Sequence, residues 1–110
     1  MNEDIKTIAE HYGVEAQSIQ LIEEMAELTQ ALTKLWRAKH GYFNELYEGY
    51  KKGASVEICC GEVLEEIADV EVCLEEIKYL LGIDKRELRD YKWEKIKRQL
   101  ERIEYDNNKD

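Results

Sequence analysis

Apolar residues recur along most of this chain with the spacing of an α-helix. One set falls within about 40° of a single direction around a helix axis, and it comprises Leu21, Met25, Leu28, Leu32 and Leu35. A second set fills a sector of about 80°, and it comprises Val63, Ile67, Val70, Leu74, Ile77 and Leu81. The pattern therefore predicts an all-α protein in which these two apolar stripes form the core.

Glycines mark the predicted helix ends, because the chain contains no proline. We expect a helix from about Glu3 to Tyr12, a second from about Glu15 to Lys39, and a third from about Glu57 or Glu62 to Leu81. Asp84, three residues before Glu87, predicts the N-cap of a fourth helix that continues to about Tyr105. The tyrosine-rich connector, residues 41–55, is expected to hold a short helix or a hairpin-like loop, and residues 106–110 a frayed tail. The whole predicts a single domain, residues 1–110, built as a four-to-five-helix bundle.

Composition and charge narrow the class of partner. The 110 residues include 44% hydrophobic and 37% charged residues, with 16 Lys and Arg against 25 Asp and Glu, for a net charge of −9. This charge repels nucleic acid polymers and anionic membranes. No run approaches the roughly 20 apolar residues of a membrane span, and the N-terminus lacks the order of a signal peptide. We therefore expect a cytoplasmic protein whose three cysteines, which lack zinc-site spacing, are reduced thiols.

Two pairs of acids interrupt the apolar helical pattern. Glu24 and Glu27 lie on one flank of the first stripe, and Glu66 and Asp69 lie on one flank of the second. Residues three apart lie one above the other on a helix, so each helix could supply two arms of a clamp. If the stripes pack together, both acid pairs can face one groove.

Four carboxylates in one groove require compensation. Two unit charges about 5 Å apart repel by roughly 3 kcal/mol at an effective dielectric of 20. Oxygen ligands without cysteine or histidine suit Mg²⁺, with Mn²⁺ as an alternative, rather than zinc or copper. The competing interpretation is a solvated acidic surface, since such pairs arise easily in a glutamate-rich chain. A di-iron site is not supported, because neither His11 nor His40 completes a Glu-x-x-His motif.

The sequence around these acids resembles a known family. "EEMAE", Glu23 to Glu27, followed by "EIAD", Glu66 to Asp69, is similar to the EExxE…ExxD signature of the MazG-like all-α nucleoside triphosphate pyrophosphohydrolases. The likeness to short, phage-type members extends over much of residues 17–100. The separation of the two motifs, Leu28 to Glu65, is longer than is usual in that family, and the excess falls in the connector. Because it lies in a loop, this departure bears on substrate choice more than on chemistry.

The resemblance implies a function and roles for named residues. It implies Mg²⁺-dependent hydrolysis of a nucleoside triphosphate to the monophosphate and pyrophosphate, a house-cleaning activity, with Glu24, Glu27, Glu66 and Asp69 as metal ligands. Glu23 matches the first glutamate of the signature and is expected to position water. Basic residues of the last helix reach phosphate in such proteins, which makes Lys92 and Lys95 candidates here and Arg98 a weaker one.

Three residues of the second predicted helix are candidates for binding the nucleotide base. Gln17 or Gln20 could read the edge of a base, and Trp36 could stack on a base or pack in a subunit interface.

The family assembles as dimers or tetramers, and a homodimer or homotetramer is also indicated by apolar residues outside the two stripes, which are Ile19, Ile22, Val72 and Leu80. The alternative function is a non-enzymatic acidic helical bundle that binds a protein partner.

Overall fold

The computed structural model describes residues 2–40 and 56–109 of the chain, and both ranges are almost entirely helical. The helices are α1 (Asn2–His40), α2 (Val56–Leu80) and α3 (Lys85–Asn107). No strand occurs in these two ranges. The all-α class is therefore confirmed, with three helices in the described ranges where the sequence predicts four to five. The connector predictions for residues 41–55 lie outside the described residues.

Gly13 accounts for part of the difference in helix count. Its backbone has φ 87° and ψ 169°, which is not helical, yet the chain is helical on both sides of it. Only glycine adopts this conformation without strain, because any side chain would clash with the adjoining backbone. The predicted end of the first helix is thus a kink within α1, and helix resumes immediately after it.

The turn between α2 and α3 follows the chemistry that the sequence predicts. Gly82 takes φ 62°, and the amides of Gly82 and Ile83 donate to the carbonyls of Tyr79 and Lys78 at 3.1 and 2.9 Å. These are the two hydrogen bonds of a Schellman motif, which closes the end of a helix. Asp84 then caps α3, since its carboxylate accepts from the amides of Arg86 and Glu87 at 2.8 and 3.4 Å. Helix α2 ends at Leu80 and α3 begins at Lys85, both within about two residues of the predicted boundaries.

The helices α1 and α2 pack side by side in opposite directions. Gln17, early in α1, is hydrogen-bonded to Glu76, late in α2, and the Tyr79 hydroxyl donates to the Glu10 carboxylate. Helix α3 packs on neither α1 nor α2 and has no buried residue. The radius of gyration is 18.7 Å, whereas a compact domain of this length has about 13 Å. Residues 2–40 and 56–109 therefore form a two-helix unit with a projecting third helix.

The buried faces of α1 and α2 differ from those that the sequence predicts. The residues buried between the helices are Ala9, Gln17 and Ala31 in α1, and Cys59, Val70, Cys73 and Glu76 in α2. On average these residues point roughly 60 to 80° from the centre of each predicted stripe, toward its acidic flank, although Val70 itself belongs to the second stripe. Met25 and Leu32 remain 43% and 42% exposed. The prediction that the two stripes form the core is confirmed only in part: Val70 is buried, but most stripe residues are half-buried or exposed, because a single pair of helices buries only a narrow strip of each.

No helix among the described residues combines the length and the apolar character that a bilayer crossing requires.

Candidate metal centre

The antiparallel pairing of α1 and α2 brings the two acid pairs together. Glu24 and Glu27 lie about one turn apart on α1, and Glu66 and Asp69 lie about one turn apart on α2. One carboxylate oxygen from each of the four residues lies within 4.8 Å of the other three. The convergence that the sequence predicts is therefore present within one chain.

Two oxygens of this cluster are buried without a partner. They are Oε2 of Glu24 and Oε2 of Glu66, and neither accepts a hydrogen bond. The other oxygen of Glu24 accepts from the Gln20 amide at 2.6 Å. Glu27 and Asp69 are exposed, so the cluster is buried on one side and reaches solvent on the other. A buried carboxylate oxygen without a donor is costly unless a cation or proton balances it.

The electrostatics of Glu24 agree with this geometry. Burial raises the pKa of the Glu24 carboxyl above its usual value, and the nearby charges of Glu27 and Asp69 raise it further. The hydrogen bond from Gln20 opposes this rise in pKa by stabilising the charged form. A divalent cation would remove the repulsion and supply the missing partner of both buried oxygens. The donor set, four carboxylates without nitrogen or sulfur, fits a hard cation such as Mg²⁺ or Mn²⁺.

A buried polar pair beside the cluster was missed at the sequence level. Gln17 is 7% exposed and Glu76 is 2% exposed, and the Gln17 amide donates to the Glu76 carboxylate at 2.7 Å. Glu76 lies two helical turns beyond Asp69, on the same side of α2. Nothing in the periodicity of α2 distinguishes Glu76 from its exposed neighbour Glu75. The pairing depends on the register between the helices, which the sequence pattern does not give.

The thiol of Cys73 lies between the cluster and this pair. Burial raises the pKa of the Cys73 thiol, and the charges of Glu76, Glu24 and Asp69 raise it further. All three cysteines are free, and Cys60 is the exposed one. The thiol of Cys73 is therefore held in its neutral form and contributes no charge to the cluster.

The remaining predicted site residues of α1 have varied surroundings. Gln20 contacts Glu24 directly, whereas the buried Gln17 is occupied by Glu76. Glu23 is exposed, next to the cluster in sequence. Trp36 is 60% exposed and stacks on His40, with ring centroids 4.9 Å apart. Substrate contacts by these residues stay predictions.

The predicted phosphate-binding residues lie on α3, away from the four acids. Lys92 lines a cavity formed with α2 and the start of α1, and Arg98 lines a shallow depression on α3 itself. Lys95 is exposed. Since α3 packs on neither of the other two helices, one chain alone does not bring Lys95 or Arg98 to the acidic cluster.

In comparisons of this chain with models of protein families, with curated proteins and with solved structures, no match is found.

Proposed function

We propose that this protein is a Mg²⁺-dependent nucleoside triphosphate pyrophosphohydrolase, with Mn²⁺ as an alternative cofactor. One observation carries the proposal: four carboxylates from two helices converge within 4.8 Å, and two of their oxygens are buried without a partner. Such an arrangement is unfavourable without a cation, so its presence favours a metal centre over a solvated acidic surface. The motif resemblance to MazG-like enzymes supplies the substrate class.

In this proposal each of the site residues has a distinct role in the reaction. Glu24, Glu27, Glu66 and Asp69 hold the metal, which supplies charge neutralisation to a bound triphosphate and lowers the pKa of bound water. Glu23, exposed beside the cluster, orients the attacking water and accepts its proton. The water oxygen bonds to the α-phosphorus while the bond from that phosphorus to the bridging oxygen breaks. The products are the nucleoside monophosphate and pyrophosphate.

Cations are needed where the leaving pyrophosphate gains charge. Lys92 and Lys95 are proposed for this role, with Arg98 as an additional contact, because a positioned ammonium or guanidinium stabilises developing phosphate charge. All three residues lie on the projecting helix α3, so they would serve the acidic cluster of another copy of the chain. Gln17, Gln20 and Trp36 are proposed as substrate-binding residues, Gln20 through its contact with Glu24.

We also propose that the chain works as a homodimer or homotetramer. Two observations support assembly. Within the apolar stripes, Met25, Leu32, Ile67 and Leu74 are 37–43% exposed. Helix α3 also exposes an apolar seam, defined as Trp93, Ile96, Leu100 and Ile103. The seam has the three-and-four spacing with which helices pack on one another. Burying these surfaces in a second copy would bring α3 of one chain toward α1 and α2 of another.

A pyrophosphate-release assay over a panel of standard and modified nucleoside triphosphates tests the enzyme. We expect release from at least one nucleotide with Mg²⁺, none with a chelator, and loss of more than 100-fold in rate for Glu66→Ala. Glu65→Ala is the matched control, because it removes the adjacent exposed acid and should retain activity. Metal binding without release from any nucleotide would instead support a structural cation site. Neither binding nor release would support the alternative, an acidic module for a protein partner.

A further inference from the structure

A second concave feature lies at the junction of the three helices. It is a cavity of about 760 Å³ formed by the start of α1, the end of α2 and the start of α3. Small-molecule sites in proteins commonly have volumes of 300–1,000 Å³, so this cavity is large enough for a metabolite. Its apolar walls include Ile5, Ile83 and Leu88.

The charged residues of this cavity oppose the charge of the whole protein. Its lining includes five cationic side chains, which are Lys6, Lys78, Lys85, Arg89 and Lys92, and a single acidic one, Glu75. The cavity thus has a surplus of four positive charges in a chain whose net charge is −9. Three separate helices supply these cations, so the concentration is a product of the fold rather than of one basic run.

Two of the five cations already have an acidic partner. The Glu75 carboxylate is paired with Lys78 at 2.7 Å. The hydrogen bond from Lys78 lowers the pKa of Glu75, and the charges of Lys78, Lys85 and Lys92 lower it further. Lys6 lies over the ring of Tyr79, 5.7 Å from its centroid, and pairs with Glu3 at 3.7 Å. Lys85, Arg89 and Lys92 remain as the cations on α3 that an anion in the cavity would meet.

The cavity is separate from the acidic cluster. Glu75, Lys78 and Tyr79 point roughly 80 to 180° away from Asp69 around the axis of α2. They also lie about 9–15 Å farther along that axis. An anion held here would therefore face the cations of α3 without needing the metal centre.

We propose that this cavity binds a polyphosphate group directly, through its basic side chains and in the absence of a divalent cation. A di- or triphosphate carries about three or four negative charges, which is comparable to the three cations that α3 contributes to the cavity. Lys and Arg are the residues that proteins use to contact phosphate oxygens. The inference does not rest on the proposed hydrolysis, since it concerns binding on another face of α2.

Titration calorimetry with inorganic tripolyphosphate, in the presence of a chelator, tests the proposal. The test variant is the double substitution Lys85→Gln with Arg89→Gln. The matched control is Lys97→Gln with Arg102→Gln, which removes the same two charges from α3 outside the cavity. Lys92 is left intact because it belongs to the proposed hydrolytic machinery. We expect saturable binding by the wild type, at least a tenfold weaker affinity for the test variant, and a change of less than twofold for the control.

A comparison of two ligands identifies the source of the phosphate. Tighter binding of a nucleoside triphosphate than of tripolyphosphate would indicate a nucleotide, and equal affinity would indicate a free polyphosphate. Circular dichroism should show that both double variants remain helical. Absence of tripolyphosphate binding by the wild type, or equal weakening in the test and control variants, would overturn the proposal. Neither result bears on pyrophosphate release at the acidic cluster, so the two proposals fail separately.

Discussion

Two of the four acids at the α1–α2 interface, Glu24 and Glu66, have a buried carboxylate oxygen, although charged side chains usually avoid burial. Glu24 shows the balance of forces most clearly, because one of its oxygens accepts from Gln20 while the other is buried without a partner. The helix pair tolerates this arrangement because Glu27 and Asp69 keep one side of the cluster open to solvent. In the proposed metal centre, binding of a cation and stability of the fold would therefore be coupled.

Glu24→Gln should change how stability depends on pH when metal is absent. A carboxyl whose folded-state pKa is raised above 4.5 binds more protons folded than unfolded, so the free energy of unfolding falls as pH rises from 4.5 through the raised pKa. Glu24→Gln removes that proton-binding group and still accepts from Gln20. We expect the thermal midpoint of the wild type, measured in chelator, to fall relative to that of the variant from pH 4.5 to 7. Parallel profiles for the two proteins would contradict the role given to burial at Glu24.

The Gln17–Glu76 pair should make a measurable contribution to stability. Gln17→Leu leaves the 2% exposed Glu76 carboxylate without its donor, which should lower the free energy of unfolding by about 1–3 kcal/mol. Replacing both residues with leucine removes the orphaned group, so the double variant should be more stable than Gln17→Leu. Urea unfolding of the wild type, both single variants and the double variant measures the coupling. Additive effects of the two substitutions would show that the hydrogen bond contributes nothing.

At the scale of elements, helix type and helix ends follow from local rules, whereas the choice of buried face does not. Gly82 and Asp84 end α2 and begin α3 as predicted, because Schellman and N-cap hydrogen bonds involve only neighbouring residues. The convergence of the four acids could also be predicted, since their i,i+3 spacing fixes a common flank. The apolar stripes are only partly buried, because apolar periodicity gives a face of one helix but not the partner that covers it.

Gly13 and Gly61 should respond to alanine in opposite directions. Apart from the adjoining backbone, a Cβ at either position meets no atom within 4 Å, so the comparison isolates backbone conformation. Gly13→Ala should lower the free energy of unfolding by about 1–3 kcal/mol, because φ 87° with ψ 169° disfavours a side chain. Gly61 lies inside α2, so Gly61→Ala should instead raise the free energy of unfolding by about 0.5–1 kcal/mol. Equal effects in urea unfolding would argue against a fixed kink at Gly13.

At the scale of the whole molecule, the extended shape and the exposed apolar surface have one physical explanation. Helix α3 projects without a buried residue, and several stripe residues of α1 and α2 are about 40% exposed. More apolar surface therefore lies in water than a small stable domain usually exposes. Sequence patterns indicated this excess, but which apolar residues stay exposed depends on how α1 and α2 meet. The proposed packing against further copies of the chain would account for the excess.

A charge placed in the apolar seam of α3 should disrupt assembly. Leu100 lies in the seam and is 54% exposed in one chain, so Leu100→Glu should shift the protein from dimer or tetramer to monomer in sedimentation velocity. Gln99→Glu adds the same charge at the neighbouring exposed position outside the seam and should leave assembly unchanged. A wild-type protein that sediments as a monomer at all concentrations, or equal effects of the two substitutions, would contradict assembly through α3.

Direct titration with Mn²⁺, followed by the loss of the free-ion signal in electron paramagnetic resonance, tests the metal centre most directly. The wild type should bind Mn²⁺ saturably, Mg²⁺ should displace it, and Glu65→Ala should bind as the wild type does. Glu66→Ala removes one of the two buried unpartnered oxygens and should weaken Mn²⁺ binding by at least tenfold while remaining helical. Wild-type affinity for Mn²⁺ in Glu66→Ala, or no saturable binding by the wild type, would contradict the account.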